Sequence, residues 1–282
     1  LSIKNIDLIS VTSGPGLIGG LLSGVMFAKG LAKGLNIPII GVNHLAAHCF
    51  SVKMFHELNF PYLTLLVSGG HCQFLIVKGV DSFSRLGGTI DDAPGEAFDK
   101  TAKILGLKYP GGPEIEKYAH FGNKDYYSFP KPLLNKKDCN LSFSGLKTAI
   151  RREYETIIND SGTITNVQKY NLCSSFQDTI ATILAQKSHN AMKEFVRLWR
   201  PRTKNIAISG GVAANKQICS KLKSAALDQS FGFISPSIRL CTDNGAIIAY
   251  AGAEKFLASS NYDSDLIPRP RWPLDPFAKP ML

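Results

Sequence analysis

LLVSGGH at residues 65–71 and IAISGGV at residues 206–212 share one pattern, a short apolar run followed by Ser-Gly-Gly. Apolar runs of this length, closed by glycine, read as buried strands of an α/β sheet. Glycines directly after a strand let backbone N–H groups approach an anion, and a following helix adds the positive end of its dipole. One such loop is most often only a turn. Two related loops suggest a duplicated α/β unit facing one cleft. Neither is a Walker A loop, because no G-x-x-x-x-G-K-[ST] occurs.

The same alternation extends outward. Residues 6–13 read as a strand, Gly14-Pro15-Gly16 as a turn and Leu17 to Leu35 as a helix. Residues 72–78 read as the hairpin partner of 62–68, and residues 205–209 as a strand followed by a helix from about Ala213. Residues 168–200 read as one long helix with Leu172, Phe176, Ile180, Ile183, Ala191, Phe195 and Leu198 on one face, ended by Pro201. Another helix is expected near 245–257. Residues 107–140, rich in Gly, Pro, Lys and Tyr, read as an insertion or flexible lobe. The tail from Asp265, with Pro268, Pro270, Pro273, Pro276 and Pro280, reads as an extended surface strap. The chain thus divides into a remainder of a first α/β lobe (1–58), a second α/β lobe (59–245) with the insertion, and a C-terminal helix and tail (246–282) packing back on the first.

Composition narrows the class. In 282 residues, 44% hydrophobic and 19% charged side chains exclude disorder as the main state. No uninterrupted run of 18 apolar residues occurs, so no transmembrane helix and no membrane partner are expected, and no signal peptide is expected in residues 1–10. The six cysteines form no C-x-x-C pair and read as buried free thiols of a reducing compartment. A net charge of +10 suggests an acidic partner such as nucleic acid, against the plainer reading of solvated faces. The chain opens on Leu1, which suggests that a preceding piece is missing.

Three motifs bear on chemistry. His44 and His48, in HLAAH, lie one helical turn apart, so both rings can meet one metal; the alternative is two unrelated helix histidines. A metalloprotease needs Glu after the first His, and Leu45 stands there. Asp243 reads either as an N-cap or as the carboxylate that completes a two-His site. DDAPGEAFDKTAK, residues 91–103, places Asp92, Glu96 and Asp99 near one helix face, either as a capped helix start or as carboxylates for ribose hydroxyls.

Together with TSGPGLIGGLLSG (12–24), VNHLAAH (42–48), LLVSGGHCQ (65–73), IDDAPGEAFDKTAKILGLKYPGGP (90–113), LSFSGLKTAI (141–150), ISGGVAANK (208–216) and LCTDNGAIIAYAG (240–252), these residues resemble the tRNA threonylcarbamoyladenosine transferase family along essentially the whole chain. PRPRWPLD at 268–275 is similar to the bacterial branch, with the mitochondrial branch close. The resemblance implies an α/β fold of the actin/Hsp70/sugar-kinase type, two lobes around a nucleotide cleft, with the first lobe incomplete at its N-terminus. It also implies transfer of threonylcarbamoyl from threonylcarbamoyl-adenylate to N6 of the adenosine beside the anticodon (position 37), in tRNAs reading codons that begin with A. The basic balance then answers to tRNA.

Carried onto this sequence, the resemblance makes His44, His48 and Asp243 ligands of one divalent metal ion, iron or zinc. It makes Leu66, Val67, Ser68, Gly69 and Gly70 the loop that contacts the adenylate, Asp99, Gly112 and Glu116 nucleoside contacts, and Asn215 a further substrate contact. It implies a paralogous dimerisation partner and a P-loop ATPase, and a cytoplasmic or mitochondrial-matrix setting. The family usually has Glu where Ala46 stands, and begins with a strand and hairpin that this chain does not contain. The competing readings are a truncated scaffold that only binds partners, a metallopeptidase, and a small-molecule kinase of the same fold.

Overall fold

The structure, a computed structural model, describes residues 2–259 and 265–278. The chain runs β1 (Ile9–Gly14), α1 (Ile18–Leu35), β2 (Ile39–Asn43), α2 (His44–Phe50), β3 (Tyr62–Val67), β4 (Cys72–Gly79), β5 (Ser82–Gly88), α3 (Pro94–Ile104), α4 (Gly111–Ala119), α5 (Ser144–Ser161), α6 (Asn166–Trp199), β6 (Asn205–Ser209), α7 (Lys216–Leu227), β7 (Gly232–Ile234), α8 (Ile238–Cys241) and α9 (Gly245–Ser259).

The two Ser-Gly-Gly strands are neighbours. β3 and β6 pair in parallel, Leu63 beside Ile206 and Leu66 beside Ser209, so both glycine loops leave the same end of the sheet. The full order is β5-β4-β3-β6-β7, with the β3–β4 hairpin antiparallel as the sequence predicts. β3 is buried at every position. Leu63, Leu65 and Val67 pack into one core with α3 to α7, while Tyr62 and Leu66 pack into a second core with α2 and α9. Burial on both faces is why YLTLLV reads as a continuous apolar run rather than an alternating one.

α6 follows the expected helix closely. Thr165 and Gln168 form a capping box at its start, and Arg200 in the left-handed region closes it before Pro201. Leu198 departs from the expected face and is exposed. Residues 107–140 are not a flexible lobe. Ile115, Ala119, Phe129 and Cys139 enter the main core, and Asn171 and Ser175 of α6 accept from the amides of Asn123 and Tyr127.

A separate parallel pair, β1–β2, carries α1 on one side and α9 on the other. Gly252 lets α9 press against Ser10 of β1; a side chain there would strike the Ser10 hydroxyl. α1 buries only Leu21, Val25, Ala28 and Ala32, and exposes Leu22, Met26 and Phe27. At 18 residues with a mean hydropathy of 1.2, it is long and apolar enough, by length and composition only, to cross a membrane, although it contains no uninterrupted apolar run of that length. Its Lys29 and Lys33 interrupt the run without lowering the average enough. From Pro268 to Asp275 the tail is an extended strap, as expected; Pro280 lies outside the described residues.

Candidate functional site

The histidine pair is set by its cap. Asn43 ends β2 and turns its Oδ1 onto the amides of Leu45 (2.9 Å) and Ala46 (3.2 Å), which starts α2 at His44. His48 follows one turn on, 1% exposed, its ring 4.8 Å from that of His44 and nearly perpendicular to it. Ala46 faces into the core instead.

Asp243 reaches this pair from far along the chain. Its Oδ1 is 3.0 Å from His48 Nε2 and 3.4 Å from His44 Nε2. The two readings of Asp243 part here, because the cap of α9 is its neighbour: Asn244 Oδ1 accepts from Ile247 N at 3.0 Å. Asp243 is therefore left free to face the imidazoles. Hydrogen bonds from His44, then His48, hold its carboxyl well below the usual carboxylate range.

These residues fit a metal ion. One donor atom from each lies within 4.8 Å of the others, and spacings of 3.0 and 3.4 Å suit ligands each about 2.0–2.2 Å from a common centre. His48 presents Nε2 to the cluster while its Nδ1 is buried without a hydrogen-bond partner. The Asp243 side chain is 78% exposed, so the outer side of the cluster is open to further ligands. Two imidazoles and a carboxylate suit iron(II) or zinc.

Beside the cluster lies a cavity of about 250 Å³. Gly69 after β3, Asp99 of α3, Gly112 and Glu116 of α4, and Gly211 and Asn215 after β6 line it, and Thr242 joins it to Asp243. Of the predicted contacts, Gly69, Asp99, Gly112, Glu116 and Asn215 thus meet at one cavity. Leu66 and Val67 are wholly buried strand residues beneath it. Ser68 and Gly70 lie outside its lining. Ser68 is occupied with His71, donating its amide to the His71 carbonyl and accepting the His71 amide on Oγ. Burial, then the nearness of His44 and His48, pushes the His71 imidazole below its usual range.

The polar lining is already partly engaged. Asp99 Oδ1 accepts from Gly111 N at 2.8 Å, and Glu116 Oε1 accepts from Lys216 N at 2.7 Å, leaving each carboxylate a second oxygen. Asn215 caps α7 through Ile218 N and donates to Gln177 Oε1, so its side chain is held from both ends. Asp92 and Glu96 do not join Asp99; both pair with Lys100. The first Ser-Gly-Gly loop leads into a hairpin, so only the second brings a helix N-terminus behind it.

Sequence reasoning missed Asn43, Gln177, Asn244 and Asp91. The Asp91 carboxylate accepts from the amides of Phe143 and Ser144 and from the hydroxyls of Ser142 and Ser144, capping α5 from another segment. Only Asn43 and Asn244 carried a sequence signal, as Asn immediately before helical runs. All six cysteines are free. Burial raises their thiols, Cys219 and Cys241 to about 11 and Cys139 and Cys173 to about 12, so none supplies a thiolate near neutral pH.

The sequence model of the tRNA N6-adenosine threonylcarbamoyltransferase family matches residues 1–250. The protein of that name from Cereibacter sphaeroides is 50% identical over 282 residues, covering all of this chain and 77% of the relative. That of Dinoroseobacter shibae is 51% identical over 275 residues, 98% of this chain and 76% of the relative. Among solved structures, T. kodakarensis HypF aligns with a TM-score of 0.60 at 16% identity, over 95% of this chain and 42% of that one. A full-length HypF crystallised with phosphate and nucleotide aligns at 0.57 and 16%, over 84% and 38%. These two likenesses concern the fold, which is of the actin/Hsp70/sugar-kinase class.

Proposed function

We propose, for a chain that belongs to the tRNA N6-adenosine threonylcarbamoyltransferase family, a specific division of labour in the site. The chain transfers a threonylcarbamoyl group to N6 of adenosine in tRNA. The finer reading is that the donor is threonylcarbamoyl-adenylate and the acceptor the adenosine at position 37, beside the anticodon. The observation that carries it is the adjacency of the cavity and the histidine cluster: Thr242 lines the one, and Asp243, the next residue, completes the other.

The adenylate's nucleoside occupies the cavity, with the free oxygens of Asp99 and Glu116 accepting from ribose hydroxyls. The amides of the glycine loops after β3 and β6 hold its phosphate. The threonylcarbamoyl end then points past Thr242 toward His44, His48 and Asp243, which hold iron or zinc. When bound, the metal supplies a cationic seat that polarises the carbamoyl carbonyl or holds the threonyl carboxylate. N6 attacks the carbonyl carbon, the bond from that carbon to the phosphate oxygen breaks, AMP leaves, and N6 loses a proton. Since AMP is a good leaving group, positioning supplies much of the rate. In this reading a paralogous dimerisation partner and a P-loop ATPase assist turnover, in the cytoplasm or the mitochondrial matrix.

The test supplies the donor, the two partner proteins, iron(II) or zinc, and an unmodified tRNA, and counts labelled threonine entering the tRNA. The wild type is expected to label it, and His44→Ala to lose at least a hundredfold. Absence of labelling with every component present sinks the reading and puts the partner-binding scaffold first. ATP-dependent phosphorylation of a small substrate would favour the kinase instead, and cleavage of a test protein the peptidase.

A further inference from the structure

The strap Pro268-Arg269-Pro270-Arg271-Trp272 has no part in the site described above, yet it lies beside it. Its backbone is stitched across the ends of β1 and β2. Arg269 N donates to Ser13 O at 2.6 Å, Pro270 O accepts from Gly16 N at 3.1 Å, and Trp272 O accepts from Asn43 Nδ2 at 2.9 Å. Gly14 leaves no room for a side chain against the Arg269 carbonyl. Further on, Asp275 Oδ2 accepts from Arg85 N at 2.9 Å, which ties the strap to β5. Asn43 is also the residue that starts the histidine helix, so the strap runs within one residue of the metal cluster.

The side chains on this fixed backbone are of one kind. Arg269 and Arg271 are exposed, and among the described residues neither is paired with a carboxylate. The Arg269 guanidinium stands 4.8 Å from the centre of the half-buried Trp272 ring, and Lys255 approaches the same ring at 5.9 Å. Guanidinium planes and an indole on a backbone held by hydrogen bonds at residues 269, 270 and 272 suit the phosphates and unstacked bases of single-stranded RNA, and the main chain is already placed for binding.

We propose that the 268–272 strap is a docking surface for the anticodon loop of the substrate tRNA. Arg269 and Arg271 hold backbone phosphates of nucleotides flanking the reacting adenosine, and the Arg269–Trp272 stack supports an unstacked base. The inference rests on the transferase reading, since it places that substrate's loop across the rim of the metal cluster.

The test measures the affinity of the full chain for an unmodified tRNA across a range of salt, by fluorescence anisotropy. Each phosphate contact to a single strand contributes roughly 0.7 to the slope of log affinity against log salt, so Arg269→Ala with Arg271→Ala should lower the slope by about 1.4 and weaken binding about tenfold or more. Arg269→Lys with Arg271→Lys should restore the slope. Arg271→Ala alone, which breaks no contact of the strap, should lose about half of it. Arg151→Ala with Arg152→Ala removes the same charge from α5 and should leave most of the slope in place. Cobalt(II) absorption at the histidine pair checks that the strap variants keep the site. An unchanged slope in the strap variants, or an equal loss in the α5 variant, overturns the proposal. A wild type that labels tRNA while the strap variants bind as it does overturns the strap alone; a wild type that neither binds nor labels tRNA overturns the transferase reading itself.

Discussion

Gly95 and Gly210 both lie close against the backbone of residues 67–69, where β3 ends and its loop begins, and a single methyl group tests that contact. A Cβ on Gly95 would lie 2.7 Å from Gly69 Cα and 2.8 Å from Ser68 O. Carbon atoms in contact settle at roughly 3.5–4.0 Å, so Gly95→Ala forces the loop and the first turn of α3 apart by about 1 Å. Neither partner yields easily, because both are backbone and Glu96 N already donates to Gly69 O at 3.1 Å. Overpacking of this kind costs about 1–3 kcal/mol. In a chain of this size that lowers the melting temperature by about 2–4 °C for each kcal/mol.

The larger effect falls on function. Gly69 lines the cavity, and a misplacement of about 1 Å there can cost on the order of a hundredfold in rate. The assay pairs thermal unfolding with calorimetric binding of an adenine nucleotide and the labelled-threonine transfer rate. Gly30→Ala is the control: it sits exposed within α1 with nothing near the added methyl, and should stabilise by about 0.5–1 kcal/mol. Gly210→Ala should behave like Gly95→Ala, since Gly210 combines a φ of +93° with the Val67 carbonyl in its way. Wild-type melting and nucleotide affinity in Gly95→Ala would show that the loop has room for a side chain there.

Two further outcomes follow from buried or bridging charges. Asp91 is held below its ordinary 3.8: partial burial raises it, but the hydrogen bonds from Ser142, Phe143 and Ser144 together outweigh that. Because its folded value is the lower one, its contribution is present above pH 3.8 and is lost as pH falls through the folded value. Asp91→Asn should therefore cost about 1 kcal/mol, limited by solvent exposure, steadily from neutral pH down to about 5, with the difference shrinking below about 4; a difference that grows on acidification in urea titrations would contradict this. Lys187 is 0% exposed and donates to Lys136 O, Asp138 O and Asp138 Oδ1 at 2.9, 3.1 and 3.1 Å. Lys187→Ala should cost about 2–4 kcal/mol in denaturant unfolding. Lys187→Met, which keeps the packing of the stem, should recover part of it, and two variants as stable as wild type would show that the clamp on residues 136–138 contributes nothing.

What the sequence shows and hides follows from how local each cause is. The Ser-Gly-Gly strands, the long α6 and the i, i+4 histidines are legible because periodicity and spacing act within one element. Asp243 was ambiguous for the same reason: a carboxylate one residue before a capping Asn looks like a cap until the cap is seen to be Asn244. Residues 107–140 misled in the other direction. Their Gly, Pro, Lys and Tyr content describes an insertion or flexible lobe, but they are held by Asn171, Ser175 and Lys187 on a helix far along the chain, which composition cannot register. The strap is the extreme case. Asn43 and Trp272 are 229 residues apart, and the bond between them uses a backbone carbonyl that every residue carries. Nothing in PRPRW marks Trp272 as the partner of the histidine helix; only the folded chain sets the strap beside His44. Site residues that act through side-chain chemistry thus announce themselves in sequence, whereas those that act by holding another residue in place do so only when the hold is local.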